Sequence, residues 1–187
     1  MDPEIERSNA SNNFTKLAFE FSASLKKREA EIPNRLKKSK ASNENKLKYL
    51  YEFMDEINSF TSKYTACKKG CSHCCSYEVA ISEIEIQYIE KHTKNKRNKQ
   101  YLKPGNFHGS DCSFLKDGKC SIYIARPYAC RRHVALTKTN YWCQPSISKT
   151  EAFPLLQYSG IDGGYDFILR ESNTRELVDI RQVFGSE

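Results

Sequence analysis

Three features that would each indicate a class of protein are missing from this 187-residue sequence. No apolar run approaches the ~20 residues that a membrane-spanning helix needs. The start, MDPEIERSNASNNF, lacks the basic beginning and the apolar stretch of a secretory signal. No glycine-rich nucleotide loop of the G-x-G-x-x-G kind is recognisable. We therefore expect a cytoplasmic protein without a membrane span, in a compartment where thiols stay reduced.

The composition allows a small core, and the charge is unevenly placed. Hydrophobic residues make up 39% and aromatic residues 12% of the chain. The net charge is +7, and the stretch 91–103 holds six basic residues and no acid. A nucleic-acid-binding protein usually shows a broader basic surface, and only Tyr101 within the stretch could stack on a base. We interpret the stretch as a solvated loop and predict at most weak, sequence-independent nucleic-acid binding.

The N-terminal part of the sequence predicts helices. Residues 1–12 are polar, and we expect a disordered start there. A first helix should follow and end before Pro33, because the residue before a proline disfavours helical geometry. Its apolar positions are Phe14, Leu17, Ala18, Phe21 and Leu25. The polar residues 34–46 indicate a linker or surface turn. A second amphipathic helix is predicted by Leu47, Leu50, Phe53, Met54, Ile57 and Phe60. Residues 13–66 are thus an N-terminal helical segment.

The rest of the chain predicts a mainly α fold with an irregular centre. Ser82 and Glu85 form an S-x-x-E capping box, which predicts a helix over 83–93 after a short extended stretch, 79–81. Asp117-Gly118 is a strong turn signal. The glycines Gly160, Gly163 and Gly164 indicate a loop. Asn173 can cap a last helix with the apolar residues Leu177, Ile180, Val183 and Phe184. We expect a small helical domain in which metal organises a cysteine-rich core, residues 67–145. Residues 146–187 then form a loop and a helix packing on that core.

The eight cysteines are the strongest functional signal. Four lie within CKKGCSHCC, residues 67–75, and the other four follow between residues 112 and 143. Cysteines two and three residues apart can converge on one metal across a tight turn, and Gly70 favours such a turn. Disulfides need an oxidising compartment, so we favour metal ligation. The candidate ligands are Cys67, Cys71, Cys74, Cys75, Cys112, Cys120, Cys130 and Cys143. Zinc sites and iron–sulfur clusters both use four cysteines, so both stay open.

Two details qualify this ligand set. Cys74 and Cys75 are adjacent, and neighbouring side chains point in different directions. One of them could therefore face a second metal, or a larger cluster could accept both. His73 and His133 lie next to cysteines in the sequence, but we favour a structural role for each over ligation.

The cysteine motifs resemble those of a known family. GCSHCC, the later CSFLKDGKCSIYIARPYACR and the acidic stretch SEIEIQYIE are similar to the YkgJ-type cysteine-cluster family, described as a zinc- or iron-chelating domain. The resemblance covers residues 64–133 and implies a metal or cluster site without a settled reaction. The flagellin lysine methylase, a distant relative, looks to carry a similar cluster, which adds a 4Fe–4S possibility.

Two arginines of this motif have a physical interpretation of their own. Arg126 and Arg131 flank Cys130, and an arginine beside thiolates can donate hydrogen bonds to sulfur and offset negative charge. An equally open role for Arg126 is to bridge two loops through carbonyls or a carboxylate. We take both arginines as candidate neighbours of the metal ligands.

The leading hypothesis for function is a protein in which zinc or iron organises the fold and a binding surface. One alternative is a 4Fe–4S redox protein, and another is a methyltransferase-like protein-modifying enzyme. A weak nucleic-acid binder is a further alternative. No convergent carboxylate pair is visible, which reduces the support for an enzymatic function but leaves that alternative open. A protein partner is compatible with the binding surface, and its identity stays open.

Overall fold

The computed structural model describes residues 2–153, 155–174 and 176–185. Eight α-helices lie in these ranges, and they confirm the mainly α prediction. They are α1 (Pro3–Glu20), α2 (Ala23–Lys38), α3 (Asn43–Thr61), α4 (Glu83–His92), α5 (Tyr128–Arg132), α6 (Pro145–Ser148), α7 (Ser159–Glu171) and α8 (Ile180–Phe184). Two-residue strands are β1 (Ala80–Ile81), β2 (Leu115–Lys116), β3 (Lys119–Cys120) and β4 (Val178–Asp179). Antiparallel pairs join β1 to β4 and β2 to β3. No helix in the described ranges is both long and apolar enough to cross a bilayer.

The structure corrects the expectation of a disordered start over residues 1–12. Helix α1 begins at Pro3, and the side chain of Asp2 caps it by accepting a hydrogen bond from the Glu4 N–H. The helix is held by polar contacts that apolar spacing does not reveal. The Asn13 side chain donates to the carbonyls of Tyr64 and Leu136, each at 2.9 Å. The residue Met1 lies outside the described ranges.

Helix α2 contains Pro33 at an interior position, where the sequence predicts a helix end. A proline lacks the N–H that would bond the carbonyl four residues earlier, here that of Glu29. The backbone of Gly160 in α7 packs against this carbonyl, because a Cβ at Gly160 would lie 2.0 Å from the Glu29 oxygen. The Glu29 carboxylate also accepts hydrogen bonds from the N–H groups of Gly160 and Ile161. A tertiary contact therefore occupies the space beside the carbonyl that Pro33 leaves free.

The same contact corrects the loop predicted at Gly160, Gly163 and Gly164. All three glycines lie in α7, and they allow this helix to approach α2 closely. A Cβ at Gly164 would lie 2.5 Å from the Ile32 side chain. The predicted linker 34–46 also shortens to residues 39–42, because α2 extends to Lys38 and α3 begins at Asn43 behind its cap, Ser42.

In the C-terminal part, the residue that caps the last helix is not the predicted Asn173. Asn173 lies after α7 in a left-handed conformation, with φ of 51°. The last helix, α8, is capped by Asp179, whose side chain accepts from the Arg181 N–H. Asp179 belongs to β4, so the pairing of β4 with β1 positions this cap.

Two apolar clusters build the core. The larger one joins α1, α2, α3 and α7. The smaller one supports the cysteine region and consists of Val79, Ile81, Ile86, Ile89, Phe114, Ile122, Ile180 and Val183. Cys112, Cys120 and Cys130 pack against this smaller cluster. Because α4 and α8 contribute residues to the cluster, these two helices support three of the thiols.

The buried carboxylate of Glu85 connects several helices. The predicted capping box of Ser82 and Glu85 is confirmed at the start of α4. Glu85 is 1% exposed and accepts hydrogen bonds from the hydroxyls of Tyr51 and Tyr165 and from the Tyr128 N–H. These donors come from α3, α7 and α5, so one side chain ties four helices together.

Candidate metal centre

A β-hairpin presents two of the cysteines. Cys112 precedes β2, and Cys120 lies in β3 opposite Leu115. The predicted turn between the strands is confirmed, because Asp117 and Gly118 have positive φ values of 50° and 69°. Burial raises the pKa of Cys112 and of Cys120, and the neighbouring backbone of Phe114 and of Ile122, respectively, partly opposes this rise. An N–H aimed at sulfur favours the thiolate over the thiol, and the thiolate is the form that binds metal.

The first cysteine cluster lies on a loop beside this hairpin. Gly70 has φ of 97° and makes the turn that the sequence predicts before Cys71. A 3₁₀ helix over His73–Ser76 then carries Cys74 and Cys75, and their side chains hydrogen-bond each other. The Cys112 N–H donates to the Cys75 carbonyl at 2.9 Å, which joins the loop to the hairpin.

The last two cysteines come from short helices. Cys130 lies in α5, just after Pro127. Cys143 ends a 3₁₀ helix over Tyr141–Cys143 and is only 6% exposed. The other seven cysteines are half-buried, and all eight are free thiols.

Burial raises the pKa of most of these thiols. The pKa of Cys112 is raised to about 11 and that of Cys143 to about 12. Burial also raises the pKa of Cys130, and the nearby thiols of Cys112, Cys120 and Cys75 raise it further. The pKa of Cys75 falls instead, to about 7, because of its hydrogen bond with Cys74 and the charge of Arg181. A metal ion must displace protons from most of the thiols, so its affinity should rise with pH.

Two adjoining cavities open between the cysteine segments. The first has a volume of about 610 Å³, and its cysteines are Cys71, Cys74, Cys75, Cys120 and Cys130. The second has a volume of about 540 Å³, and its cysteines are Cys67, Cys71, Cys74 and Cys130. Arg126, Lys69 and His133 line both cavities, so the cationic side chains of Arg126 and Lys69 lie beside the thiols.

The chemistry of the donors fits a thiolate-bound metal, although the side chains are not yet gathered around one point. Among the described residues, no three side chains of His, Cys, Asp or Glu form a group that could hold a metal ion. Metal binding must therefore draw thiols together. The buried Nε of Arg126 has no hydrogen-bond partner in the described ranges. Burial raises the pKa of Cys120 and of Cys130, and the charge of Arg126 partly opposes this rise. A thiolate of Cys120 or Cys130 would supply a hydrogen-bond acceptor for the Nε of Arg126.

The predicted arginine neighbours are placed differently from each other. Arg126 stands over the Tyr123 ring at 4.1 Å, lines both cavities and donates to the Asp55 carboxylate at 3.3 Å, which is the carboxylate contact that the sequence left open. Arg131 is buried, pairs with Asp55, and donates to the carbonyls of Ile124 and Arg126. Arg131 thus braces the turn that carries Arg126.

Sequence reasoning missed a third arginine, Arg181 in α8. It is 4% exposed, and its guanidinium donates to four backbone carbonyls while pairing with Asp179 at 3.1 Å. The four carbonyls belong to Cys75, Tyr77, Ser110 and Asp111. Arg181 therefore ties the first cysteine loop to the segment before Cys112. The only local signal for it was the aspartate two residues earlier, which is too common a pattern to indicate such a role.

The two histidines beside cysteines make structural contacts. The ring of His73 hydrogen-bonds the side chain of Asn140 at 2.6 Å. The ring of His133 packs edge-on against Tyr77, and burial lowers its pKa. These contacts support the predicted structural roles, which stay predictions.

The basic stretch 91–103 is partly neutralised. Arg97 pairs with Glu83 and Glu90, and Lys91 pairs with Glu44. The backbone N–H groups of Asn98 and Leu102 bond carbonyls of Val183 and Gln182 at the end of the chain. Part of the stretch is therefore a packed segment beside α8.

Neutralising the exposed lysines of this stretch should leave the metal centre unchanged. We expect a variant with Lys94, Lys96 and Lys99 changed to glutamine to keep its metal content and melting temperature. Any binding to an oligonucleotide in low salt should disappear, because the contacts are with phosphates. Fluorescence anisotropy at two salt concentrations measures this. A sequence-selective complex that survives high salt in this variant would contradict the prediction.

Comparison with known proteins supports the metal-binding interpretation. Residues 66–146 match the model of the CxxCxxCC family, whose description is "Putative zinc- or iron-chelating domain". The match confirms the family resemblance for this segment, which is less than half of the chain. Neither the curated proteins nor the solved structures give a significant match.

Proposed function

We propose that this chain is a metal-binding protein in which cysteine thiolates hold zinc or iron and the metal organises the irregular centre. The proposal starts from the family match of residues 66–146. The observation that carries it is the meeting of three chain segments, each with free thiols, around two adjoining cavities. The candidate ligands are the eight cysteines, with Arg126 and Arg181 as the cations beside them.

The centre needs a bound group for a physical reason. Between α4 and α5 the chain contains only one two-strand hairpin and a short 3₁₀ helix. Such segments bury little apolar surface and lose conformational entropy when they are ordered. Metal bound by thiolates contributes its binding free energy to folding and so offsets that loss. A metal-ordered surface beside the cavities would then serve a protein partner. The proposed location is the cytoplasm, where unbound thiols stay reduced.

A 4Fe–4S cluster is the second candidate for the bound group. The first cavity, at about 610 Å³, is larger than a single ion needs. Zinc would supply a redox-inert structural centre, and a cluster would supply a one-electron centre. Enzymatic modification of a protein has less support, since the cavities contain no carboxylate pair poised for acid–base chemistry in the described residues.

Metal analysis of the purified chain tests the proposal. Protein purified in air and without oxygen should contain zinc or iron, and an iron–sulfur cluster would make it brown. Replacing Cys71 or Cys74 with serine should lower the metal content and the melting temperature together. Ser72→Ala, in the same loop, is the matched control and should change neither. Full metal content with unchanged melting in both cysteine variants would remove these two residues from the ligand set. Protein without any bound metal would refute the proposed function.

A further inference from the structure

The segments that carry the cysteines can be divided by their backbone and packing contacts into two sets, each with four thiols. The first group, named here the hairpin group, consists of Cys75, Cys112, Cys120 and Cys130. Cys112, Cys120 and Cys130 pack on one apolar cluster, and Cys75 joins them through the hydrogen bond between its carbonyl and the Cys112 N–H. The segments that carry this group therefore pack on, or are hydrogen-bonded to, one another.

The second group, named here the loop group, consists of Cys67, Cys71, Cys74 and Cys143. Cys67, Cys71 and Cys74 line the second cavity, and Cys130 of the hairpin group reaches the same cavity from α5. The segment that contains Cys143 is hydrogen-bonded to the cysteine loop. The Asn140 side chain bonds His73 at 2.6 Å, and the Ala66 N–H donates to the Thr137 carbonyl at 2.9 Å.

The boundary between the groups falls within the adjacent pair. Cys74 and Cys75 are neighbours in the sequence, and Cys75 is bonded through its backbone carbonyl to the hairpin segment. The buried guanidinium of Arg181 donates to the same Cys75 carbonyl, on the hairpin side. Cys74 lines both cavities, whereas Cys75 lines only the first of the two.

We propose that the chain contains two separate thiolate metal sites, one formed by the hairpin group and one by the loop group. This inference rests on the proposed metal-binding function and specifies its number of sites and its ligands. Four thiolates complete the tetrahedral shell of zinc and equally supply one 4Fe–4S cluster. Each quartet takes one member of the adjacent pair, so neither site needs two neighbouring side chains.

Partial metal removal followed by alkylation tests this inference on the purified chain. The metal content should be two zinc ions, or two clusters, per chain, and native protein should resist iodoacetamide at all eight cysteines. After a chelator has removed half of the metal, intact mass should show a species with four alkyl groups. Peptide mapping should place all four within the hairpin group or all four within the loop group. No variant is needed, so the result does not depend on a mutant folding.

Several results would overturn the two-site inference and leave metal binding itself intact. They are one metal ion or cluster per chain, four cysteines that react before any metal is removed, or a half-depleted species whose labels mix the groups. As a second measurement, Cys112→Ser and Cys143→Ser should each lose about one equivalent of metal and keep the other. Absence of metal from the wild-type protein is a different result, because it would refute the proposed function as well.

Discussion

Replacing Arg181 with alanine should destabilise the fold by about 4 kcal/mol, the cost of removing one partner of a buried ion pair. The variant leaves the Asp179 carboxylate without its cation and removes the donor from four backbone carbonyls. Urea unfolding of the wild type and the variant measures the difference. The metal content should fall as well, because Arg181 ties the segment of Cys75 to the segment before Cys112.

A second substitution and a control separate geometry from charge. Arg181→Lys keeps the charge, but a lysine has three donors on one atom and cannot reach four carbonyls and a carboxylate at once. It should therefore recover only part of the lost stability. Arg170→Ala, on the exposed side of α7, should change the free energy of unfolding by at most ~0.5 kcal/mol. Wild-type stability in Arg181→Ala would show that α8 does not hold the cysteine segments together.

Replacing Glu85 with glutamine should destabilise the protein by about 3 kcal/mol, because buried donors would lose a charged acceptor. Each of the two carboxylate oxygens of Glu85 acts only as a hydrogen-bond acceptor. Oε1 accepts from the Tyr51 hydroxyl and the Tyr128 N–H, and Oε2 accepts from the Tyr165 hydroxyl and from Ser82. In a glutamine, an NH₂ group would replace one of these two oxygens, so its N–H donors would face other hydrogen-bond donors. Thermal or urea unfolding measures the loss.

A double-mutant cycle tests the reason for this loss. Tyr165→Phe removes one donor that would face the new amide, so combining it with Glu85→Gln should cost less than the sum of the two single changes. Glu52→Gln is the matched control, because Glu52 is an exposed carboxylate whose ion pair with Lys48 is 3.9 Å long. It should be nearly neutral. Additive costs, or a Glu85→Gln variant as stable as the control, would contradict the network.

Local signals were sufficient for several elements of this fold. The capping box at Ser82 predicted the start of α4, and Asp117-Gly118 predicted the hairpin turn. The apolar spacing from Leu47 to Ile57 predicted the buried face of α3. These predictions succeeded because each depends on forces that act within one or two turns of the chain: side-chain caps, allowed φ angles and the helical period.

Other elements depend on contacts between distant parts of the chain. Pro33 and the glycines of α7 look like breaks when each is considered alone. Together they form a close helix contact, in which Gly160 packs beside the carbonyl left free by Pro33. Polar residues of α1, such as Asn13, gain helix-stabilising contacts only when the carbonyls of Tyr64 and Leu136 come near. A pattern along the sequence contains no information on such partners.

The sequence by itself determined the mainly α class, the family of the cysteine-rich segment and the eight thiols as candidate ligands. It did so because helical periodicity and cysteine spacing are properties of short stretches. Only the tertiary structure decided which segments line the two cavities and that Arg181 joins the segment of Cys75 to the segment before Cys112. Cys143 lies 68 or more residues after the loop cysteines, and Arg181 lies 106 residues after Cys75. Their proximity follows from apolar burial and from hydrogen bonds between segments, and these form only when the whole chain has folded.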